Sequence, residues 1–431
     1  MNVKKEWVVF VIVFSIMLTS IPNYSSAIIT YSDYGPVTTE ANSGEYVMVF
    51  IQDTISNEQS ISQDIKSRTM RRLPTEFQIE EINDTVIMDQ TFDFNGTEYY
   101  TNQTDIVILN GLCYLFIGAE DMTSHNVTFL ALTSDNNGVS WSDPTIVYNT
   151  SVVYSEDTYF NFDAINYGTK LILAYGYGQE VNVSGNIYTV TVSDVLEINP
   201  TTLEVTDTYY VSSGFGKDFE FYTYNNKLLV IYTEQQGVTS SVSFEELGST
   251  YNTVSVIATI DPPYNAIKVL KPTVTYWSNG FFVIAQDNLT DVVDSAQGII
   301  KTETFLWGVS FQVTQGLLGL EEISGTRQNH VIIKDQANFD GYYRREPSLS
   351  VYEGRLFLTF IVGRGDRFGG KGYPSVAFAF SADGNVWTNN FIGDYSLFMN
   401  LGTYFVIGTL GLFAVVYPSY LVYTKRVKSK K

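Results

Sequence analysis

FLALTSDNNGVSWSDP, residues 129–144, is the stretch that decides the fold. An apolar run ends in Ser134, the chain turns through Asn136, Asn137 and Gly138, and it leaves through Ser140 and Trp141. The short polar side chain of Asn136 suits hydrogen bonding to its own turn, Gly138 supplies a positive φ, and Trp141 folds back as an apolar plug. A second, shorter copy lies near the end of the chain. FAFSADGNVW, residues 378–387, places Ser381, Asp383, Gly384 and Trp387 in the same roles.

Working outward, one unit recurs: a turn with Gly or Asn, then an apolar strand. The copies are LNGLCYLFIG (109–118), YGTKLILAYG (167–176), YNNKLLVIYT (224–233), WSNGFFVIAQ (277–286) and YEGRLFLTFI (352–361). Aligned on Leu112, Leu171, Leu228, Phe281 and Leu356 they are 59, 57, 53 and 75 residues apart, and Tyr46 opens a sixth copy 66 residues before Leu112. Such periods, with several short strands in each, are those of propeller blades: a lone four-stranded sheet cannot bury both faces and stacks radially on neighbours. The reading is all-β, about six blades over residues 28–394. Five or seven blades, or a pair of β-sandwiches, stay open. Residues 28–42 read as a polar lead. Asn57–Arg72 reads as a short helix capped by Ser56, with Ile61 and Ile65 four apart, Pro74 past its end and Arg68, Arg71 and Arg72 on a solvated face.

The ends carry a different signal. Residues 1–27 have a basic start (Lys4, Lys5), an apolar run and small residues before Ala27, as in a secretory signal peptide. Residues 395–424 contain no charge, and Leu401–Tyr423 as a helix reaches roughly 34 Å, enough to cross a hydrocarbon core. Residues 425–431 form a basic tail, so the expectation is a cell-membrane protein of single-pass type I with residues 28–394 extracellular. Eight N-x-S/T sequons occur.

Both turn motifs resemble the Asp box of sialidase-like β-propellers. The likeness tightens over residues 345–393, where Arg345-Glu346-Pro347-Ser348-Leu349 matches the family's R-x-P-x-L, followed by a strand, Arg364 and Asp366 on a loop, another strand and the second box. The resemblance implies that the boxes (Ser134, Asn136, Gly138, Trp141; Ser381, Asp383, Gly384, Trp387) are structural blade markers away from the axial site. It implies that Arg345 binds a substrate carboxylate and that Asp366 is a general acid/base. Tyr373, like Tyr342 and Tyr343, is a candidate for the family's tyrosine nucleophile. Against an active sialidase, no arginine occurs between Arg72 and Arg327, where the family's carboxylate clamp draws on separate blades.

The chain has 431 residues and a net charge of −21, which repels phosphate backbones and disfavours nucleic-acid binding. Its one cysteine, Cys113, lies in an apolar run and excludes a disulfide framework. The two histidines, His125 and His330, suggest neither a metal cluster nor a nucleophile's base. No cofactor is implied, and no D-x-D-x-D-G loop supports calcium. The Gly-rich segment 363–373 gathers Arg364, Arg367 and Lys371 in an otherwise acidic domain and is the best local anion- or sugar-contacting surface. Trp277 and Trp307 are further candidates for ligand contact. The expected function is recognition of an extracellular glycan or protein, with an exo-α-sialidase or other glycoside hydrolase, or a structural surface-coat role, as alternatives. The enzyme requires Arg345 and Asp366 to converge at the axis.

Overall fold

A computed structural model describes the chain from residue 29 to residue 391, apart from 42–43, 57–58, 73–78, 155–159, 184–185, 212–213, 216–217, 237–238, 263–267, 295–298, 315–318, 325, 328–341 and 365–374. The strands follow one another as antiparallel meanders, each meander one blade. Blade 1 is β1 (Ile29–Glu40), β2 (Glu45–Ser56), β3 (Gln59–Arg72) and β4 (Ile79–Asp89). Blade 2 is the short β5 (Thr91–Phe94), β6 (Thr97–Leu109), β7 (Leu112–Asp121), β8 (Asn126–Ser134) and β9 (Thr145–Val153). Blade 3 is β10 (Phe160–Tyr167), β11 (Lys170–Val183), β12 (Asn186–Ile198) and β13 (Val205–Val211), and blade 4 is β14 (Phe219–Tyr224), β15 (Lys227–Gln236), β16 (Thr239–Leu247) and β17 (Thr253–Ile260). Blade 5 is β18 (Lys268–Trp277), β19 (Gly280–Asp294), β20 (Ile299–Thr314) and β21 (Gly319–Glu322). Blade 6 is β22 (Tyr342–Tyr352), β23 (Arg355–Arg364), β24 (Ser375–Ser381) and β25 (Trp387–Phe391).

The inner strands β1, β6, β10, β14, β18 and β22 touch in succession, and β22 returns to β1, so the ring is closed and six-bladed. The recurring sequence unit is the turn into the second strand of each blade. Its turns carry paired positive φ angles, as at Asn110-Gly111, Asn225-Asn226, Ser278-Asn279 and Glu353-Gly354, which matches the right-handed twist of the flanking strands. The second strands read as unbroken apolar runs because both of their faces are covered. On β7, Cys113, Leu115, Ile117 and Ala119 pack toward blade 1, while Tyr114 and Phe116 pack toward blade 3. On β19, Phe281, Val283 and Ala285 face blade 4, while Phe282 and Ile284 face blade 6. Six such clusters, one at each junction, make up the core.

Blades 6 and 1 meet without a shared strand. Their seam is held by Tyr46, Met48, Phe50, Tyr352, Phe357 and Phe378, by the Tyr46 hydroxyl donating to Val351 O (3.1 Å), and by the Tyr352 hydroxyl donating to Gly44 O (2.8 Å).

Three expectations are corrected. Within the segment 28–42, Ile29–Glu40 is no lead but the inner strand of blade 1. The helix expected over Asn57–Arg72 is strand β3 (Gln59–Arg72), paired with β2 from Gln59 to Arg71 and with β4 from Asp64 to Arg72. Ile61 and Ile65 share a face in a strand as in a helix, since four is a multiple of two. Arg68 is not on a solvated face: it is 9% exposed, lies over the Phe50 ring at 5.1 Å, and pairs with Asp84 (2.9 Å) and Glu81 (3.0 Å) on β4. Among the described residues no helix is long and apolar enough to cross a membrane, and the segments 1–27, 395–424 and 425–431 lie outside those residues.

Candidate functional site

The inner strands all begin at one face of the ring, the entry face, and end at the opposite face. Aligning them on their last residues and bulges reveals two polar layers around the axis. The deep layer is Val37, Asp105, Asp163, Glu220, Thr273 and Ser348, one per blade in order. The layer two residues nearer the entry face is Gly35, Gln103, Asn161, Asp218, Lys271 and Glu346. The sequence carries this register as D-IVIL-NG, D-AINY-G, E-FYTY-NN, T-VTYW-SN and S-LSVY-EG, a polar residue five before each turn. No single copy stands out, which is why reading the chain by local motif missed it.

The layers do structural work first. Each deep side chain except that of Val37 reaches the inner strand of the next blade. Asp105 Oδ2 accepts the Ala164 N–H (2.6 Å), Asp163 Oδ2 accepts Phe221 N–H (2.7 Å), Glu220 Oε1 accepts Val274 N–H (3.2 Å), and Thr273 Oγ1 accepts Leu349 N–H (3.2 Å). The Ser348 and Thr38 hydroxyls share a hydrogen bond (3.2 Å) that carries the series into blade 1. In the upper layer, Gln103 bonds both the N–H and the carbonyl of Phe162, and Glu346 Oε2 accepts Gly35 N–H (2.7 Å). Inner strands have a free edge toward the axis, and these side chains satisfy its backbone groups where a further strand does not fit.

Packing three carboxyls together out of bulk water changes their chemistry. Burial pushes Asp105 up to about 7, although its bonds from Ala164 and Ile106 N–H and the nearby Lys271 ammonium pull the other way. Burial pushes Glu220 up to about 8 despite the hydrogen bonds from Thr273 and Val274. Asp163 is raised well above the carboxylate range, by burial first and then by the charges of Asp105 and Glu220. Asp105 and Asp163 lie close enough to interact directly, so the two titrate as a pair.

Lys271 sits on a bulge of β18. Its backbone is left-handed, φ 46°, directly before Pro272, and the β18–β19 register breaks between Leu270 and Thr273. Gly35-Pro36 and Glu346-Pro347 form the same bulge on β1 and β22, with φ 55° and 54°. A left-handed residue before proline is costly for any residue other than glycine, so at Lys271 and Glu346 the surrounding ring holds the strain. From blade 5, the Lys271 ammonium reaches Asp218 Oδ1 of blade 4 (3.4 Å) and Asn161 Oδ1 of blade 3 (3.2 Å).

At the entry face, ribbons rise above the inner strands. The β11–β12 pairing continues to Val183↔Asn186, beyond the last contact of β11 with β10 at Tyr177, and β19–β20 continues to Asp294↔Ile299. The turn motifs lie at the opposite face. In the first, the Ser134 hydroxyl donates to Asn136 Oδ1 (2.9 Å) and accepts Gly138 N–H (2.8 Å), and Trp141 Nε1 donates to Gly138 O (3.1 Å). The turn is pinned to blade 1 by the Ser67 and Thr69 hydroxyls. In the second, Asp383 Oδ1 accepts the Asn385 and Val386 N–H groups (2.9 and 2.8 Å), which holds its carboxyl below the usual range, while Trp387 packs on Phe282 of blade 5.

Several expected ligand contacts are displaced. Trp307 is fully buried between blades 4 and 5, because β20 turns it into the apolar junction. Trp277 ends β18 at the opposite face, where its indole N–H donates to Gly354 O (2.8 Å) and its ring packs beside Gly384. Arg345 lies on β22 with its backbone opposite Ile361, and Arg364 is opposite Tyr342. Asp366, Arg367, Lys371 and Tyr373 lie outside the described residues.

No protein-family model matches the chain, and no curated protein matches it. Among solved structures it is similar to Trypanosoma rangeli sialidase in complex with sialic acid, with TM-score 0.48 and 11% identity, over 82% of this chain and 55% of that one. It is similar to an α-L-arabinofuranosidase from Fusarium graminearum bound to an iminosugar inhibitor, with TM-score 0.48 and 10% identity, over 80% and 92%. It is also similar to a Cellvibrio cellulosa α-L-arabinanase mutant, with TM-score 0.41 and 9% identity, over 84% and 96%. None of these likenesses bears on activity, and the six-bladed ring rests on the chain's own strand pairing.

Proposed function

We propose that the chain is a membrane-anchored, extracellular recognition propeller, and that its ligand, a glycan or the glycan-bearing surface of a protein, enters at the entry face. The observation that carries this reading is the commitment of the axial carboxyls. Asp105, Asp163 and Glu220 each spend an oxygen on a backbone N–H of the next blade, as structural bridges do. Above them lies a polar layer framed by raised ribbons, the form of a concave site with a few convergent polar groups. The signal-like and apolar terminal segments support export and anchoring. The test is binding of the full chain, purified in detergent micelles, to an array of extracellular glycans. Ligand-dependent signal supports the reading, and a blank array at high protein concentration removes it.

One observation favours a second reading, a glycoside hydrolase. Asp105 and Glu220 are raised to about 7 and about 8, where a carboxyl keeps its proton near neutral pH and acts as an acid. In this reading Glu220 is the acid, and the Asp105–Asp163 pair supplies the base. Turnover of aryl glycosides by the wild type that vanishes in both Glu220→Gln and Asp105→Asn supports a hydrolase. Absence of turnover from about pH 4 to 8 eliminates it.

A further inference from the structure

We infer that Asn95 and Asn149 are modification sites that carry N-linked saccharides, accepted from a lipid-phosphate-linked oligosaccharide, and that Asn102, which heads a third N-x-S/T sequon on the same blade, stays bare. This rests on the export reading above, since such sequons are modified on exported chains.

The two acceptors are presented by different devices. Asn95 and Gly96, with φ 54° and 81°, form the tip of the β5–β6 hairpin, and Asn95 is exposed. Asp93 Oδ1 accepts the Gly96 N–H (3.1 Å), so the turn is fixed without the Asn95 side chain. The Met122 N–H donates to Glu98 O (2.9 Å), which sets the β7–β8 turn level with Glu98 and leaves Asn95 standing past it at the entry face. Asn149 lies on β9, the outermost strand of blade 2. Strand alternation puts Asn149 and Ser151, the two polar groups of its sequon, on one face, and both are exposed, while Thr150 between them is buried. Thr128 Oγ1 donates to Asn149 Oδ1 (3.1 Å), which turns the oxygen toward the sheet and the amide nitrogen outward. Over Thr145–Val153 β9 has no charged residue, and its outer edge is open. A bare edge of that kind is a template for pairing with another chain, and a saccharide on Asn149 covers it.

Asn102 shows the contrast. It sits at the β6 bulge between Thr101 and Gln103, and both its Nδ2 and the Thr104 hydroxyl of its sequon are buried without a partner among the described residues. In the transfer, the asparagine Nδ2 bonds to the anomeric carbon of the saccharide. The bond from that carbon to the phosphate oxygen breaks, the lipid phosphate leaves with the electron pair, and one amide proton goes to a base of the transferase. A nitrogen closed over by the fold has no room for the new bond, so a chain modified at Asn102 does not close this ring. The turns of the opposite face expose asparagines too, at Asn110, Asn225, Asn279 and Asn385. The residues two places on are Leu112, Lys227, Phe281 and Trp387, none of which supplies the hydroxyl that a sequon needs.

The experiment is peptide mapping by mass spectrometry of the full chain, purified in micelles from the cells that make it, as wild type, Thr97→Ala and Ser151→Ala. These variants break each sequon and keep its asparagine, and their melting temperatures show separately whether the fold is intact. Export is read in parallel by treating intact cells with an amine reagent that does not cross membranes, which reaches Lys170 and Lys227, with side chains 49% and 42% exposed, only if the propeller is outside. The expected result is a labelled chain with saccharide mass on the Asn95 and Asn149 peptides and none on the Asn102 peptide. The mass at Asn95 is lost in Thr97→Ala alone and that at Asn149 in Ser151→Ala alone. A labelled chain in which Asn95 or Asn149 is bare, in which Asn102 is modified, or in which the mass survives in the folded variants overturns this inference and leaves the recognition reading standing. A chain labelled only after the cells are broken overturns both.

Discussion

At the scale of the residue, the bridge between inner strands is the basic device. Asp163→Ala leaves the Phe221 N–H buried without an acceptor and is expected to cost about 1–3 kcal/mol in chemical denaturation, whereas Asp163→Asn, whose amide oxygen still accepts, costs less. A loss in the asparagine variant equal to that in the alanine variant removes the bridge from the account. A glycine contrast tests the turn motif. A Cβ at Gly138 (φ +80°) lands 2.7 Å from both Ser67 Oγ and Val47 Cγ1, while one at Gly168 (φ +64°) meets nothing within 4 Å. Gly168→Ala should cost about 1 kcal/mol from backbone strain alone, and Gly138→Ala clearly more, since a core valine must also move. The turn was legible at this scale because Ser134, Asn136, Gly138 and Trp141 are neighbours in sequence. The axial layers were not, because Asp105, Asp163 and Glu220 are brought together by the ring and share no local motif.

At the scale of the element, visibility followed burial. Second strands such as β7 and β19 are covered on both faces and write themselves as apolar runs, so the blade repeat could be read directly. Inner strands write themselves as polar text, because one edge borders a channel; β1 therefore reads as a lead, and the axial polar residues on β10, β14 and β18 drew no notice. The helix expected over β3 failed for a related reason: an i, i+4 apolar pair is shared by both periodicities, and the flanking polar residues Ser67 and Thr69 turn out to bond the turn of blade 2. The seam between blades 6 and 1 is the weakest junction on topological grounds, being held by side chains alone. Tyr46→Ala removes a fully packed ring 4.4 Å from Tyr352 and 4.5 Å from Phe357, and is expected to cost about 3–5 kcal/mol. The same variant should open the ring to proteolysis near residues 40–46 before other blades are cut. Uniform cleavage across blades contradicts a seam-first opening.

At the scale of the whole molecule, the axial carboxyls link folding to pH. Asp105, Asp163 and Glu220 are raised in the folded state, so the native chain holds protons that an unfolded chain releases above about pH 4. Their contribution is most favourable below that point and is lost as pH rises through about 7 and 8, so stability from this source falls with pH. The melting temperature should drop by several degrees between about pH 5.5 and 8.5, and the double variant Asp105→Asn, Glu220→Gln should flatten that dependence. A melting temperature that rises over the same range contradicts it.

The central claim is that the ligand enters the axial channel at the end where the inner strands begin. Amide hydrogen exchange of the full chain, with and without the saccharide selected on the array, measures this most directly. The expected result is slowed exchange on binding over residues 160–167, 218–224 and 268–277, the segments that carry Asn161, Asp218 and Lys271. Protection confined to the outer strands β9, β13 and β17, with no change at those three inner strands, would contradict it.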